Sequence, residues 1–206
     1  MKTLFITGTD TGIGKTITSA WLCMHWGADY WKPIQSGLSE QTDSQQLAQL
    51  SQTHIHPERY RLKAPLSPHL AAELEGIKIQ LNDFEIPQHS GKLIVEGAGG
   101  CLVPLNWRHT MIDLIQHLNL CTVLVARSGL GTINHTTLSL HALKAAHIPV
   151  LGVIMVGEPN PANRQAIEHF GEVPVLAELP LLHPPCSATL QTIALPDRLN
   201  NALNSL

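Results

Sequence analysis

Apolar positions follow two different spacings along this chain. Residues 3–7, 93–96, 122–126, 150–156 and 173–177 are short runs with almost no polar interruption, the pattern of parallel strands buried on both faces. Between them, residues 16–24, 44–50, 111–118, 133–146 and 161–170 place apolar side chains three or four apart, which predicts helices with one inward stripe. A last helix is expected over 196–204. Strand and helix therefore alternate, and that alternation predicts an α/β fold in which an open, mostly parallel sheet is flanked by helices. Two stretches break the pattern. Pro57, Pro65, Pro68 and Pro87 interrupt residues 52–88, where loops and short helices are expected. Pro180, Pro184 and Pro185 make 180–187 an irregular connection.

Chemistry enters at the ends of these strands. Gly8-Thr-Asp-Thr-Gly-Ile-Gly-Lys15-Thr16 follows the first strand and opens a helix, the context a phosphate-binding loop needs. Backbone N–H groups from Gly12 to Thr16 can wrap a phosphate, Lys15 can reach the outer phosphates, and the Thr16 hydroxyl can ligate Mg²⁺. The strict loop pattern wants glycine at position 9; here Thr9 stands there and Gly8 comes one residue early. A second strand ends on Glu96 and runs into Gly97-Ala98-Gly99, so its carboxylate points to the ligand side of a parallel sheet. Beside Thr16 it would complete a hard-oxygen Mg²⁺ site. Asp43 can be read as a further ligand or as part of a helix start, since Thr42 and Gln45 form a capping-box pair. Lys32, in an otherwise apolar segment, can be read as the second positive charge that phosphoryl transfer uses or as a simply exposed lysine.

Composition narrows the partners. With 206 residues, one domain is the default at ~150 residues per domain. Thirteen Lys and Arg against sixteen Asp and Glu give a net charge of −3, and no basic stripe marks a nucleic-acid or membrane partner. Cys23, Cys101, Cys121 and Cys186 form no CxxC pair, so reduced thiols and a cytoplasmic location are expected. The apolar run after Lys2 is too short for a signal peptide or a membrane span. Among twelve histidines, His54 and His56 have no third ligand at a zinc-site spacing, and no zinc site is expected. Trp21, Trp26, Trp31 and Trp107 read as core or interface anchors, and Cys101 as a small buried thiol. His69 fits either a pocket wall or a loop-fixing hydrogen bond.

These pieces together resemble the dethiobiotin synthetase family of P-loop NTPase type. The resemblance rests on Gly8-Thr-Asp-Thr with Gly14-Lys-Thr16, Lys32-Pro with Ser36-Gly37, Asp43, Ser67-Pro-His69, Glu96-Gly-Ala-Gly-Gly100, Leu130-Gly-Thr-Ile-Asn-His135 and Glu178-Leu-Pro180, in that order. It implies an ATP- and Mg²⁺-dependent ligase acting on 7,8-diaminononanoate and CO₂ through a carbamate and a carbamic-phosphoric anhydride. It also implies a homodimer with active sites near the subunit interface. By resemblance Lys32, Lys15 and Thr11 are catalytic, and Ser36 touches the carbamate or diamine. Gly131, Thr132 and Asn134 of the neighbouring subunit would seat the substrate carboxylate. Thr16, Asp43 and Glu96 would hold Mg²⁺. The nucleotide would meet Gly12, Ile13, Gly14, Lys15, Thr16 and Ile17, with Asp43, Glu96, Gly97, Ala98 and Gly99 beside the phosphates and Gly157, Pro180, Leu181 and Leu182 near the base.

The chain departs from that pattern at three places. Gly12 stands where some members carry an acid. Met155-Val156-Gly157 occupies the place of a base-reading Asn, and a Val side chain cannot hydrogen-bond a base, so relaxed preference among ATP, CTP and others is expected. The short interval from Thr16 to Lys32 predicts a trimmed first helix and a reduced second strand. A glutamine-dependent ligase of the same superfamily would need ~150 more residues for its glutaminase domain. The other reading is a nucleotide-dependent switch or positioning ATPase of the same fold; its usual early loop lysine is Asp10 here.

Overall fold

The computed structural model describes residues 1–89, 91–182 and 184–206. Its main sheet has β1 (Lys2–Gly8), β2 (Ala28–Trp31), β4 (Ile55–His56), β6 (Lys92–Gly100), β7 (Cys121–Arg127), β8 (Val150–Val156) and β9 (Val175–Leu179). They lie in the order β4-β2-β6-β1-β7-β8-β9, and every pairing is parallel. Two short strands, β3 (Ile34–Ser36) and β5 (Tyr60–Leu62), pair separately.

Each strand divides its side chains between two cores, because successive residues face opposite sides of a sheet. In β1, Leu4 and Ile6 face one core while Phe5 faces the other. Ile94 and Tyr30 share the side of Ile6, whereas Leu93 and Val95 share that of Phe5. The first core is covered by α1 (Lys15–Trp26), α2 (Asp43–Leu50), α7 (Ser187–Thr192) and α8 (Asp197–Asn204). The second is covered by α3 (Pro68–Leu74), α4 (Met111–Leu118), α5 (Thr132–Ala145) and α6 (Pro161–Gly171). Trp21 anchors the first core; it is 1% exposed and donates its indole N–H to the Ile193 carbonyl at 2.6 Å. Truncating a buried aromatic of this kind costs about 3–5 kcal/mol.

The same alternation aims the functional groups. Tyr30 lies opposite Ile94 and Ile6 lies opposite Glu96, so Lys32 and Glu96, each two residues further on, project from the α1 side of the sheet. Two expectations are corrected. Residues 52–88 hold β4 and β5 besides loops and α3, because an edge strand of two or three residues has no period to read. The last strand begins at Val175, not 173, since Pro174 has no N–H to give a ladder. Trp21, Trp26 and Trp31 are buried, but Trp107 lies outside the core, 78% exposed.

Candidate active site

The phosphate loop is shaped by its glycines. Gly12 and Gly14 sit at φ 69° and 98°, left-handed values that disfavour a side chain. A Cβ on Gly8 would come within 2.6 Å of Ile13 Cδ1, which explains glycine at position 8. Ile13 itself folds inward and is buried. Gly14 caps α1 without a side-chain hydrogen bond, leaving the helix start open to an anion. Lys15 is buried and donates from Nζ to the Asp10 carbonyl at 2.8 Å. Burial, aided by the nearby Lys32 charge and opposed by Glu96, holds its pKa below the ordinary lysine value.

Behind the loop four side chains meet. The Thr16 hydroxyl lies 3.0 Å from Asp43 Oδ1 and 3.0 Å from Glu96 Oε1. Lys32 Nζ lies 2.7 Å from Asp43 Oδ2 and 3.3 Å from Glu96 Oε1, and also donates to the Gly97 carbonyl at 3.3 Å. Lys32 and Glu96 are 3% and 1% exposed. Burial works against the Lys32 charge, but Glu96 and Asp43 outweigh it and raise its pKa. Burial likewise works against the Asp43 carboxylate, and Lys32 outweighs it, so that pKa lies below the ordinary value. Asp43 takes part in the helix start and also faces the cluster. Thr42 and Gln45 complete the capping box that starts α2, and the Asp43 side chain faces Thr16 and Lys32.

Two residues that the motifs did not single out hold this cluster. Tyr30 donates its hydroxyl to Glu96 Oε2 at 3.1 Å; its place two residues before Lys32 on a strand was the available signal. Gln35 accepts the Asp43 N–H on Oε1 at 3.2 Å and donates to the Ser36 carbonyl at 2.9 Å, and nothing in its spacing marks it.

A cavity of about 700 Å³ opens over the cluster. Thr11, Gly12, Gly14, Lys15, Thr16, Ile17, Lys32, Ser36, Asp43, Glu96, Ala98 and Gly99 line it. The Ser36 hydroxyl there is buried, with no hydrogen-bond partner among the described residues. Ile13 and Gly97 stand behind the wall, Gly97 giving its carbonyl to Lys32. The other expected residues lie elsewhere. Val156 is buried beneath the loop, where a Cβ on Gly14 would meet it at 3.0 Å. Gly157 donates its N–H to the Leu179 carbonyl, and Pro180 and Leu181 are exposed beyond β9. Gly131 and Asn134 are exposed at the start of α5, but the Thr132 hydroxyl is buried against that of Thr136. His69 does not line the main cavity and packs on Trp107 instead. Cys101 is buried.

A family model described as an AAA domain matches residues 2–186. The ATP-dependent dethiobiotin synthetase BioD of Paramagnetospirillum magneticum is 54% identical over 191 residues, covering 92% of this chain and 93% of that protein. The chain belongs to the dethiobiotin synthetase family. The Brucella ovis BioD is 52% identical over 182 residues, covering 87% of this chain and 86% of its own. Among solved structures, the Pyrococcus furiosus cell division ATPase MinD has a TM-score of 0.53 at 14% identity, with 98% of this chain and 95% of that chain covered. Chloroplast FtsY of Physcomitrella patens has a TM-score of 0.52 at 15% identity, covering 98% of this chain and 64% of its own. These two share the fold of the dethiobiotin synthetase family and support nothing beyond it. Among the described residues no helix is long and apolar enough to cross a membrane.

Proposed function

We infer that this chain makes dethiobiotin: it is an ATP-dependent ligase that closes a ring on 7,8-diaminononanoate with CO₂, releasing ADP and phosphate. The observation that carries this reading is Lys32, fully charged between Asp43 and Glu96 at the floor of a phosphate-loop cavity. In the reaction, CO₂ joins one amine as a carbamate, and the carbamate oxygen attacks the γ-phosphorus as ADP leaves. The second amine then attacks the carbamoyl carbon and phosphate departs, a far better leaving group than an oxide.

Negative charge accumulates on the carbamate and on the transferred phosphoryl group, and the chain meets it with fixed positive charge. Glu96 and Asp43 raise the Lys32 pKa, which favours a charged lysine acting by electrostatics rather than as a base. Lys15, whose charge is less secure by itself, gains a partner when a triphosphate enters. The orphaned Ser36 hydroxyl suits a carbamate oxygen or an amine, and Thr11 stands at the cavity mouth. The converging oxygens of Thr16, Asp43 and Glu96 fit a hard cation. Mg²⁺ held there would neutralise charge on the β- and γ-phosphates.

Two surfaces lie outside this cavity. Gly131 and Asn134 are exposed on α5 beside Leu130 and Leu138, with Leu102 also exposed. Exposed apolar residues around a helix start support a second copy docking there and seating the substrate carboxylate, as a homodimer. Near the base, Gly157 and residues 180–182 offer backbone groups and leucine surface, which favours loose selection among nucleotides. Cysteines left unpaired and the demand for ATP support a cytoplasmic reaction.

The test is a single turnover with 7,8-diaminononanoate, bicarbonate and Mg²⁺, offering ATP, CTP and GTP in turn. Dethiobiotin and phosphate should appear in equal amounts with at least two of the nucleotides. Phosphate release indifferent to the diamine would overturn the reading in favour of a nucleotide switch.

A further inference from the structure

We propose that Asp29, His54 and His56 form a second metal site, for a divalent transition ion of the zinc type, at the edge of the sheet. The spacing of His54 and His56 offers no third ligand along the sequence, and here the fold corrects that reading. Because β4 pairs with β2, Tyr30 lies opposite Ile55, and the Asp29 carboxylate comes beside the His56 imidazole with His54 close by. One ligand atom from each residue lies within 4.8 Å of the other two. His56 Nε2 and Asp29 Oδ2 are 3.0 Å apart, and the two imidazole rings stand edge to face at 4.6 Å.

Zinc ligands at ~2.0–2.2 Å from the ion sit roughly 3.4 Å from one another in a tetrahedron. The His56–Asp29 pair, 3.0 Å apart, reaches that spacing by opening roughly 0.4 Å. His54 supplies the remaining movement: it immediately precedes the edge strand β4 and its side chain is exposed. A pocket of about 450 Å³ borders Asp29 and His54 and gives an ion a way in. Three protein ligands leave a fourth position for water. Two imidazoles and one carboxylate favour zinc over magnesium, whereas Thr16, Asp43 and Glu96 offer only oxygen. The two sites therefore select different ions.

The position gives the site a consequence. Asp29 lies on β2, which ends one residue before Lys32, and His54 follows the helix that begins at Asp43. An ion bridging Asp29 and His54 would tie together the two segments that deliver the Lys32–Asp43 pair.

Equilibrium dialysis of the whole chain against Zn²⁺, after chelator treatment and with millimolar Mg²⁺ present, tests this. Wild type should take up one zinc per chain with micromolar affinity, and its thermal midpoint should rise on loading. His54→Ala and His54→Gln should each weaken that affinity at least tenfold without changing the zinc-free midpoint. Co²⁺ in the same site should show the visible bands of four-coordination, lost in both variants. Zinc uptake unchanged in either folded variant would assign binding to other histidines and overturn the proposal, as would the lack of saturable uptake in wild type. None of these readouts depends on ligase activity, so the proposal and the reaction fail independently.

Discussion

At the phosphate end of the cleft, Thr16, Lys32, Asp43 and Glu96 touch one another, and three of the four are nearly sealed from solvent. At the start of α5 and beyond β9, Gly131, Asn134, Pro180 and Leu181 stand exposed and border no part of the main cavity. The contrast follows from the cost of burial. A charge can leave water only where an opposite charge and hydrogen bonds replace the solvent, so the phosphate end has to be complete within one chain. Backbone N–H groups and leucines carry no such demand. They can wait, exposed, for a base or a second subunit.

Variants that break this comparison should differ in kind as well as in size. Lys32→Ala leaves Asp43 and Glu96 facing each other without a cation. The rate of dethiobiotin formation in a single turnover should fall about 10²–10³-fold, the loss typical of one transition-state charge partner. The fold should also lose about 3–5 kcal/mol from the broken buried pair, read by urea unfolding. Leu130→Arg acts at the other end. It should leave stability of the isolated chain alone, split dimers in sedimentation, and raise KM for the diamine about tenfold. A raised KM with the dimer intact would place the carboxylate seat within one chain and remove the contrast.

The same division explains what could be read without the fold. Gly12, Gly14, Lys15 and Thr16 are neighbours in sequence, and a loop between strand and helix makes them neighbours in space. Lys32, Asp43 and Glu96 were legible as chemistry, but it takes the register of β2 against β6 to bring Lys32 and Glu96 to one face, and the packing of α2 to bring Asp43 to them. Tyr30 and Gln35 were missed because a buried tyrosine and a glutamine look ordinary until the Glu96 carboxylate and the Asp43 backbone N–H that they hold are placed. Asp29 escaped the His54–His56 reading for a similar reason: a two-residue edge strand has no periodicity to announce its partner. The long central strands were plain, since buried parallel strands are written as unbroken apolar runs.

Smaller effects sharpen the boundary between the two regions. Val156→Asn puts an amide where the structure has a buried side chain beneath Gly14. It should cost about 1–3 kcal/mol as an unpaired buried polar group, with the ratio of kcat/KM for ATP and CTP unchanged. A gain in ATP preference would instead show that position 156 reaches the base.

The smallest expected effect is a change in acid sensitivity at Asp43. Its folded pKa lies below the ordinary ~3.9 of an unfolded aspartate, so at acid pH the unfolded chain binds the extra proton. The stabilisation from this carboxylate is therefore whole above about pH 5 and is lost as pH falls through 3.9 toward the folded value. Lys32 has the opposite sign. Its raised pKa keeps its contribution whole below ~10.4, and that contribution is lost only as pH climbs past the folded value. Between those limits the pair is fully charged, and neither member should bend the stability curve near neutrality. Asp43→Asn removes the acid limb alone. Urea midpoints measured from pH 3 to 6 should fall less steeply in the variant than in wild type, and equal slopes would mean that Lys32 does not hold the Asp43 charge in place.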